Sequence, residues 1–303
     1  MKLLLATQKP FSSAAVSRMK EIAKNEIELI SLENYKNQSD LVEAVKTADA
    51  LIVRSDKVTP EVIDAGVNLK IVVRAGAGYD NVDLEACSSK NIVVMNTPGQ
   101  NSNAVAELTL GLIIYLSRNS FSPGTGNELK GKKLGIHAYG NVGKSVASLG
   151  KGFGMTVSAF DPFVDENILQ QDGVQAVQSV EELYSLCDII SINIPAVAGT
   201  IKSINRNLLS LLKANAVLVN TARKEVINED DLLSAMENSR IKYGTDVKPA
   251  CHEKMLTFGS RYFATPNKIG AETDEANMNA AIAALNQIID FFKTGNEKYR
   301  VNK

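Results

Sequence analysis

Six residues, Ala138-Tyr139-Gly140-Asn141-Val142-Gly143, carry the sharpest chemistry in the chain. They follow a short apolar run, Lys133 to His137, and precede a helical stretch; a second β run comes next, and Asp161 closes it 21 residues after Gly140. Strand, glycine turn, helix, strand and acid, in that order, suit a dinucleotide. With no side chain at Gly140 the backbone can approach a pyrophosphate, and with none at Gly143 the helix can pack on the strand. The helix N-terminus offers free N–H groups and a positive end. A carboxylate at Asp161 accepts both adenosine ribose hydroxyls and repels a 2′-phosphate, so the expected cofactor is NAD and not NADP. Ala138 departs from the pattern, which has glycine there. It fits if its φ is negative and its methyl avoids the cofactor, with somewhat weaker binding. The other reading of these residues is a plain βαβ turn whose glycines serve packing alone. His137, in the strand before the turn, reads as a core histidine.

A second constellation is cationic. Arg54, Ser55 and Lys57 lie just after a strand run, Arg74 ends the next one, and Ala75-Gly76-Ala77-Gly78 follows directly. The N–H groups of 75–78 would face a carboxylate. Arg54, Lys57 and Arg74 together suit a doubly charged phosphate, and a small acid with a neutral tail would not need so many cations. Alternatively, Arg54 and Lys57 are solvated surface charges.

Such groups need strands to hold them. Lys2–Ala6, Ala50–Val53, Lys70–Val73 and Asn91–Met95 read as strands, with EIELIS (26–31) between two helices at Ser13–Lys24 and Asp40–Thr47. Thr59-Pro60-Glu61 reads as a helix start. A long apolar helix covers 101–118, and the Ser/Gly/Pro/Asn-rich stretch 119–128 breaks the pattern. A second series places strands at 133–137, 156–160, 188–193, 216–220, 241–246 and 262–265. Ser179-x-x-Glu182 and Asn228-x-x-Asp231 resemble capping boxes. The last helix, Glu275 to Phe292, is rich in Ala and Ile on several faces and reads as well buried. Strands alternating with helices imply parallel sheets covered on both sides, because parallel strands need crossover connections.

Composition narrows the function. A chain of 303 residues suggests about two domains. Lys and Arg number 33 against 34 Asp and Glu, a net charge of −1 that argues against a broad nucleic-acid surface, although a local basic pocket is compatible with it. Three Cys are too few for a disulfide scaffold and two His too few for a multi-histidine metal site, so no metal is expected. No apolar run approaches the roughly 20 residues a bilayer requires. MKLLLATQKPF reads as a first strand and not a signal peptide, and a cytoplasmic protein is expected.

Several stretches look like one known family: VRSDKVT (53–59), VRAGAGYDNVDLEAC (73–87), VVMNTPGQNSNAVAELTLG (93–111), the glycine motif with FDP (160–162), NIP (193–195), VLVNTARKEVINEDDL (217–232), TDV (245–247) and IGAETDEA (269–276). The sequence resembles the D-isomer-specific 2-hydroxyacid dehydrogenases, and within them the D-3-phosphoglycerate dehydrogenase branch. The resemblance implies an α/β protein of two doubly wound parallel-sheet domains with a cleft between them. A flavodoxin-like substrate-binding domain would take 1–98 and a C-terminal helix region 273–303, and a Rossmann NAD-binding domain 99–272. It implies Arg54, Ser55 and Asn101 near the substrate. It implies NAD contacts from Tyr139, Gly140, Asn141, Val142, Gly143 and Asp161, and from Asn193, Ile194, Pro195, Thr221, Ala222, Asp246 and Gly270. It also implies a homodimer formed through the nucleotide domain, partly by the 101–130 region.

The family works with an Arg, a Glu and a His around the carbonyl. NTARK supplies the Arg as Arg223, which would hold the substrate carboxylate and polarise the C2 carbonyl; Lys224 replaces the Gly usual after it. The Glu is missing: its place, five beyond Asp246, is Cys251, with His252 and Glu253 beside it. The His is missing too. Alignment on Ile269-Gly270-Ala271 puts Lys268 in its place, and alignment on Thr265-Pro266 puts Asn267 there. The joint loss is chemically consistent, because a Lys starts at about pKa 10.4 and needs no carboxylate to keep it protonated. A cation close by, such as Arg223, would instead ease release of its proton. Lys268 is therefore the expected acid/base, as in a subset of short members with Lys for His; the alternative is a carboxylate- or phosphate-binding Lys. The implied reaction oxidises 3-phospho-D-glycerate with NAD to 3-phosphooxypyruvate, the entry to serine synthesis. Ending at Lys303 just after its last helix, the chain is expected to lack the regulatory domain of long members, and with it serine feedback by that route. The rivals are dehydrogenation of another D-2-hydroxy acid, such as glycerate or glyoxylate chemistry, and a non-enzymatic NAD-sensing interaction protein.

Overall fold

β-Branched and leucine-rich runs form two wholly parallel sheets in the computed structural model, which describes residues 1–24 and 27–302. Glu26, at the head of the EIELIS run, and Lys303 lie outside the described residues. The chain divides into one unit of 1–101 with 272–303 and a second of 102–271.

In the first unit the elements run β1 (Lys2–Thr7), α1 (Ser13–Ala23), β2 (Glu28–Glu33), α2 (Gln38–Val45), β3 (Ala50–Val53), α3 (Pro60–Ala65), β4 (Ile71–Arg74), α4 (Leu84–Ser89) and β5 (Val93–Asn96). The strand order is β2-β1-β3-β4-β5. A parallel sheet covered on both faces buries both sets of side chains. Leu3, Leu5, Ile52 and Val73 face one core, and Leu4, Leu51, Val53 and Val72 the other. Pro60 starts α3 as expected, although the Thr59 side chain makes no cap hydrogen bond.

The C-terminal helix returns to this unit and seals it. Its buried residues, Ala276, Ala280, Ala281, Ala284, Leu285 and Ile288, form a single stripe. The expectation that this helix is well buried holds along that stripe: alanine permits close approach to a sheet yet is equally tolerated in water, so Ala-rich composition does not reveal which face is buried. Beyond the helix, Val301 N donates to Val94 O at 2.8 Å. The buried Asn302 accepts from Val94 N and donates to Ile92 O. These bonds cap the open edge of β5.

In the second unit the elements are α5 (Ser102–Ser117), β6 (Lys133–His137), α6 (Asn141–Gly152), β7 (Thr156–Phe160), α7 (Glu166–Gln171), β8 (Gln175–Ala176), α8 (Val180–Leu186), β9 (Ile189–Ile192), α9 (Arg206–Leu209), β10 (Val217–Asn220), α10 (Glu229–Asn238), β11 (Lys242–Thr245), α11 (His252–Met255) and β12 (Tyr262–Ala264); the C-terminal helix, Asp274–Thr294, is α12. The strand order β12-β11-β10-β9-β6-β7-β8 reverses direction between β6 and β9, as in Rossmann sheets. Ser179 caps α8 by accepting from Glu182 N at 3.1 Å. Asn228 caps α10, but Asp231 does not close a box with it; its carboxylate instead accepts from Arg206 N at 3.0 Å, tying α10 to α9.

Candidate functional site

At the end of β6 the chain turns as the spacing of its glycines requires. Gly140 is the N-cap of α6, and a Cβ there would meet nothing within 4 Å, so the space above the helix N-terminus is open. At Gly143 a Cβ would lie 2.3 Å from the Ala138 carbonyl oxygen and 3.0 Å from Ile136 Cγ2. Ala138 itself has φ +77°, which corrects the expectation of a negative angle. The turn demands a left-handed residue there, and the sequence supplies one with a Cβ. Asp161 braces the same turn: Oδ2 accepts from Tyr139 N at 2.8 Å and Oδ1 from Phe163 N at 2.9 Å. Each carboxylate oxygen has a second lone pair, so acceptors remain for a diol. An open helix N-terminus, a side-chain-free Gly140 and an acid at the end of β7 fit a dinucleotide. The Tyr139 ring is buried and its hydroxyl donates to Asp172 at 3.0 Å. His137 is buried, as expected, with Nδ1 3.2 Å from the Tyr184 hydroxyl. Burial pulls its pKa down to about 4, against the attraction of Asp161.

A second group forms at the C-terminal ends of β10 and β11. The buried Asn220 folds the chain after β10: its Oδ1 accepts from Ala222 N and its Nδ2 donates to Arg223 O, each at 2.9 Å. Thr109 of α5 meets the Thr221 hydroxyl at 3.0 Å. On this turn two cations converge. Arg223 donates from NH1 to the Ala222 carbonyl oxygen at 3.0 Å, and Lys268 Nζ donates to that same oxygen at 2.7 Å. Lys268 also lies 3.5 Å from Thr221 O. Asp246, fully buried after β11, accepts from Gly270 N at 2.8 Å through Oδ2, and its Oδ1 has no hydrogen-bond partner among the described residues. Burial raises its pKa, opposed by Lys268, by the Gly270 and Ile269 amides and by Arg223. A Cβ on Gly270 would sit 2.8 Å from that carboxylate, which explains the glycine. Thr221, Ala222, Arg223, Asp246, Lys268 and Gly270 are thus neighbours.

Cys251 and His252, expected at the place of the family's Glu, make local bonds. The backbone N–H groups of Ala250 and Cys251 donate to Glu229, and His252 Nδ1 lies 2.8 Å from the Tyr262 hydroxyl. Burial, reinforced by Glu229, pushes the Cys251 thiol up to about 12, so it is no thiolate nucleophile. Asn193 N donates to His137 O at 2.9 Å, Ile194 is buried, and the Pro195 carbonyl accepts from Thr200 Oγ1. Among the described residues no group of three or more His, Cys, Asp or Glu could hold a metal ion.

In the first unit the cationic segment differs from its expected form. Two of the four N–H groups assigned to a carboxylate serve the fold: Ala75 N donates to Val53 O and Gly76 N to Arg74 O, both at 2.8 Å. Ala77 and Gly78 remain as candidates. The Arg74 guanidinium lies over Gly76, where a Cβ would come within 1.5 Å of NH1, and its Nε donates to Arg54 O at 2.9 Å. The Arg54 side chain is 12 % exposed and extensively bonded, whereas Ser55 and Lys57 are exposed and Asn101 is half-buried. Asn220, Thr109 and Glu229 escaped the sequence reading. Asn220 stands at the head of NTARK, but nothing local marks it as a brace.

Fold and site together define a doubly wound α/β protein of two parallel sheets, the larger of Rossmann type. The chain belongs to the D-isomer specific 2-hydroxyacid dehydrogenases, whose catalytic-domain model matches residues 5–302. It is 46 % identical to a structure described as cofactor (NAD+)-bound 3-phosphoglycerate dehydrogenase of Entamoeba histolytica, with a TM-score of 0.91, covering 100 % of this chain and 99 % of that one. It is 33 % identical over 297 residues to the D-3-phosphoglycerate dehydrogenase of Methanocaldococcus jannaschii, covering 92 % of this chain and 55 % of that protein. It is 35 % identical over 286 residues to the hydroxypyruvate reductase of Thermotoga maritima, covering 88 % and 91 %. The chain therefore spans about half the length of the first of these curated relatives and nearly all of the second. Among the described residues no helix is long and apolar enough to cross a membrane.

Proposed function

We propose that this protein is an NAD-dependent oxidoreductase that converts 3-phospho-D-glycerate to 3-phosphooxypyruvate, with 1–101 and 272–303 as the substrate-binding domain and 102–271 as the NAD-binding domain. The observation that carries the reading is the convergence of Arg223 and Lys268 on the Ala222 carbonyl, beside Asp246. When bound, NAD would supply a hydride acceptor at its nicotinamide; the α6 N-terminus, Gly140 and Asp161 would hold its pyrophosphate and adenosine ribose. Arg223 binds the substrate carboxylate and polarises the C2 oxygen. Lys268 takes the C2 hydroxyl proton in oxidation and returns it in reduction. The Ala222 carbonyl orients the amine, and Asn220 fixes that carbonyl by holding the residues on either side of it. Lys57, Arg54 and Arg74 serve the phosphate.

Steady-state NADH formation by wild type and Lys268→Met tests the mechanism. The variant is expected to lose kcat by on the order of a hundredfold or more. An unchanged rate would remove Lys268 as proton carrier, and a silent wild type would support an NAD-sensing protein. A second reading, reduction of hydroxypyruvate or a related 2-oxo acid, is favoured by the near full-length match to the T. maritima reductase. Comparing kcat/KM for 3-phospho-D-glycerate, D-glycerate and D-lactate separates the two, and preference for an unphosphorylated acid selects the second. We also propose a homodimer formed through the 101–130 region, and a cytoplasmic location, which suits the three free thiols Cys87, Cys187 and Cys251.

A further inference from the structure

Arg54 is held by acceptors of two kinds. Its NH1 donates to Lys9 O at 3.2 Å and Pro10 O at 3.3 Å, its NH2 donates to Asn277 Oδ1, and its guanidinium carbon lies 5.4 Å from the centre of the Phe11 ring. These neutral partners fix the plane and direction of the side chain and leave its charge uncompensated. Among the described residues the anion at ion-pair distance from the guanidinium is Glu272, whose Oε1 is 3.5 Å from NH2. The two ends of that ion pair differ: the Arg54 side chain is 12 % exposed and that of Glu272 is 43 % exposed. A permanently charged guanidinium with little water around it attracts an anion strongly. A carboxylate on a half-exposed side chain, at ion-pair and not hydrogen-bond distance, can be exchanged for another anion at small cost.

We propose that Glu272 is a built-in competitor for the anionic group of the substrate: it occupies the charge position at Arg54, and a phosphate binds there only by displacing it. This inference rests on the reading of Arg54 as a phosphate-binding group and names the residue that sets the strength of that binding. Glu272 is a positioning residue in this scheme. It touches Arg54, and its effect on the substrate is exerted through that contact.

Calorimetric titration of the full chain with inorganic phosphate tests the proposal without any turnover. Glu272→Gln and Glu272→Ala are expected to bind phosphate about tenfold more tightly than wild type, Glu272→Asp about as wild type, and the gain should vanish when Arg54→Met is added to either. Two replacements of different size guard against loss of folding in one of them. Equal or weaker phosphate binding in both variants, no phosphate binding by either, or a gain that persists without Arg54 would overturn the proposal. In turnover, Glu272→Gln should lower KM for 3-phospho-D-glycerate by a similar factor and leave KM for D-glycerate unmoved. A chain that forms no NADH with any 2-hydroxy acid would defeat the dehydrogenase reading alone, because the phosphate titration does not depend on it.

Discussion

Burial acts on His137 and Asp246 in the same direction, toward the neutral form of each. The imidazole sits at about pKa 4 and the carboxyl is raised, because a low-dielectric surround disfavours charge of either sign. For His137 the consequence is a pH dependence of stability. The unfolded chain takes a proton at His137 below its ordinary 6.5, while the folded chain refuses it until about 4. Stability from this group is complete above 6.5 and is lost as the pH falls through that window, up to about 3 kcal/mol. Urea unfolding of wild type and His137→Asn at about pH 7.5 and about pH 5 isolates the effect: the wild type should lose stability more steeply on acidification than the variant. Parallel losses would show that the imidazole is protonated in the fold. The core role of His137 was legible from its place in an apolar strand. The unmatched Oδ1 of Asp246 was not, because it depends on what the loop at 268–270 leaves uncovered.

The turn between β6 and α6 shows how an element constrains its residues. Gly143 is dictated by the Ala138 carbonyl, and Ala138 sits at φ +77° where glycine rests without strain. Ala138→Gly should therefore stabilise the protein by about 1 kcal/mol, the cost of a left-handed alanine less the entropy of the added glycine. Thermal melting reads this directly, and a lower Tm in the variant would show that the methyl earns more from packing than the backbone loses. The motif was readable from spacing alone, but the sign of φ was not, since it follows from where α6 lands on the sheet. The segment after β4 teaches the same lesson in reverse. Small residues at 75–78 suggested free donors, yet the N–H groups of Ala75 and Gly76 close the strand end and the glycine at 76 makes room for Arg74.

At the scale of the whole molecule, each unit carries its own parallel sheet, and the first is completed only by the returning helix α12 and the tail at 300–302. Past α5, Phe121 stands 70 % exposed with its ring edge-on to Tyr115 at 5.1 Å, in the region proposed for dimer contact. Large exposed aromatics are costly in water and suit an interface. Phe121→Glu is expected to shift sedimentation from twice the chain mass to the chain mass, and a monomeric wild type would refute the dimer. What the sequence determined by itself was everything carried by local period and spacing: the alternation of strands and helices, and the glycine turn with Asp161. The tertiary structure alone decided which partners those residues meet. Lys268 and Arg223 share the carbonyl of Ala222, and Arg54 meets Glu272 across 218 positions of chain. Such contacts are set by how sheets and returning segments pack, and no local pattern encodes them.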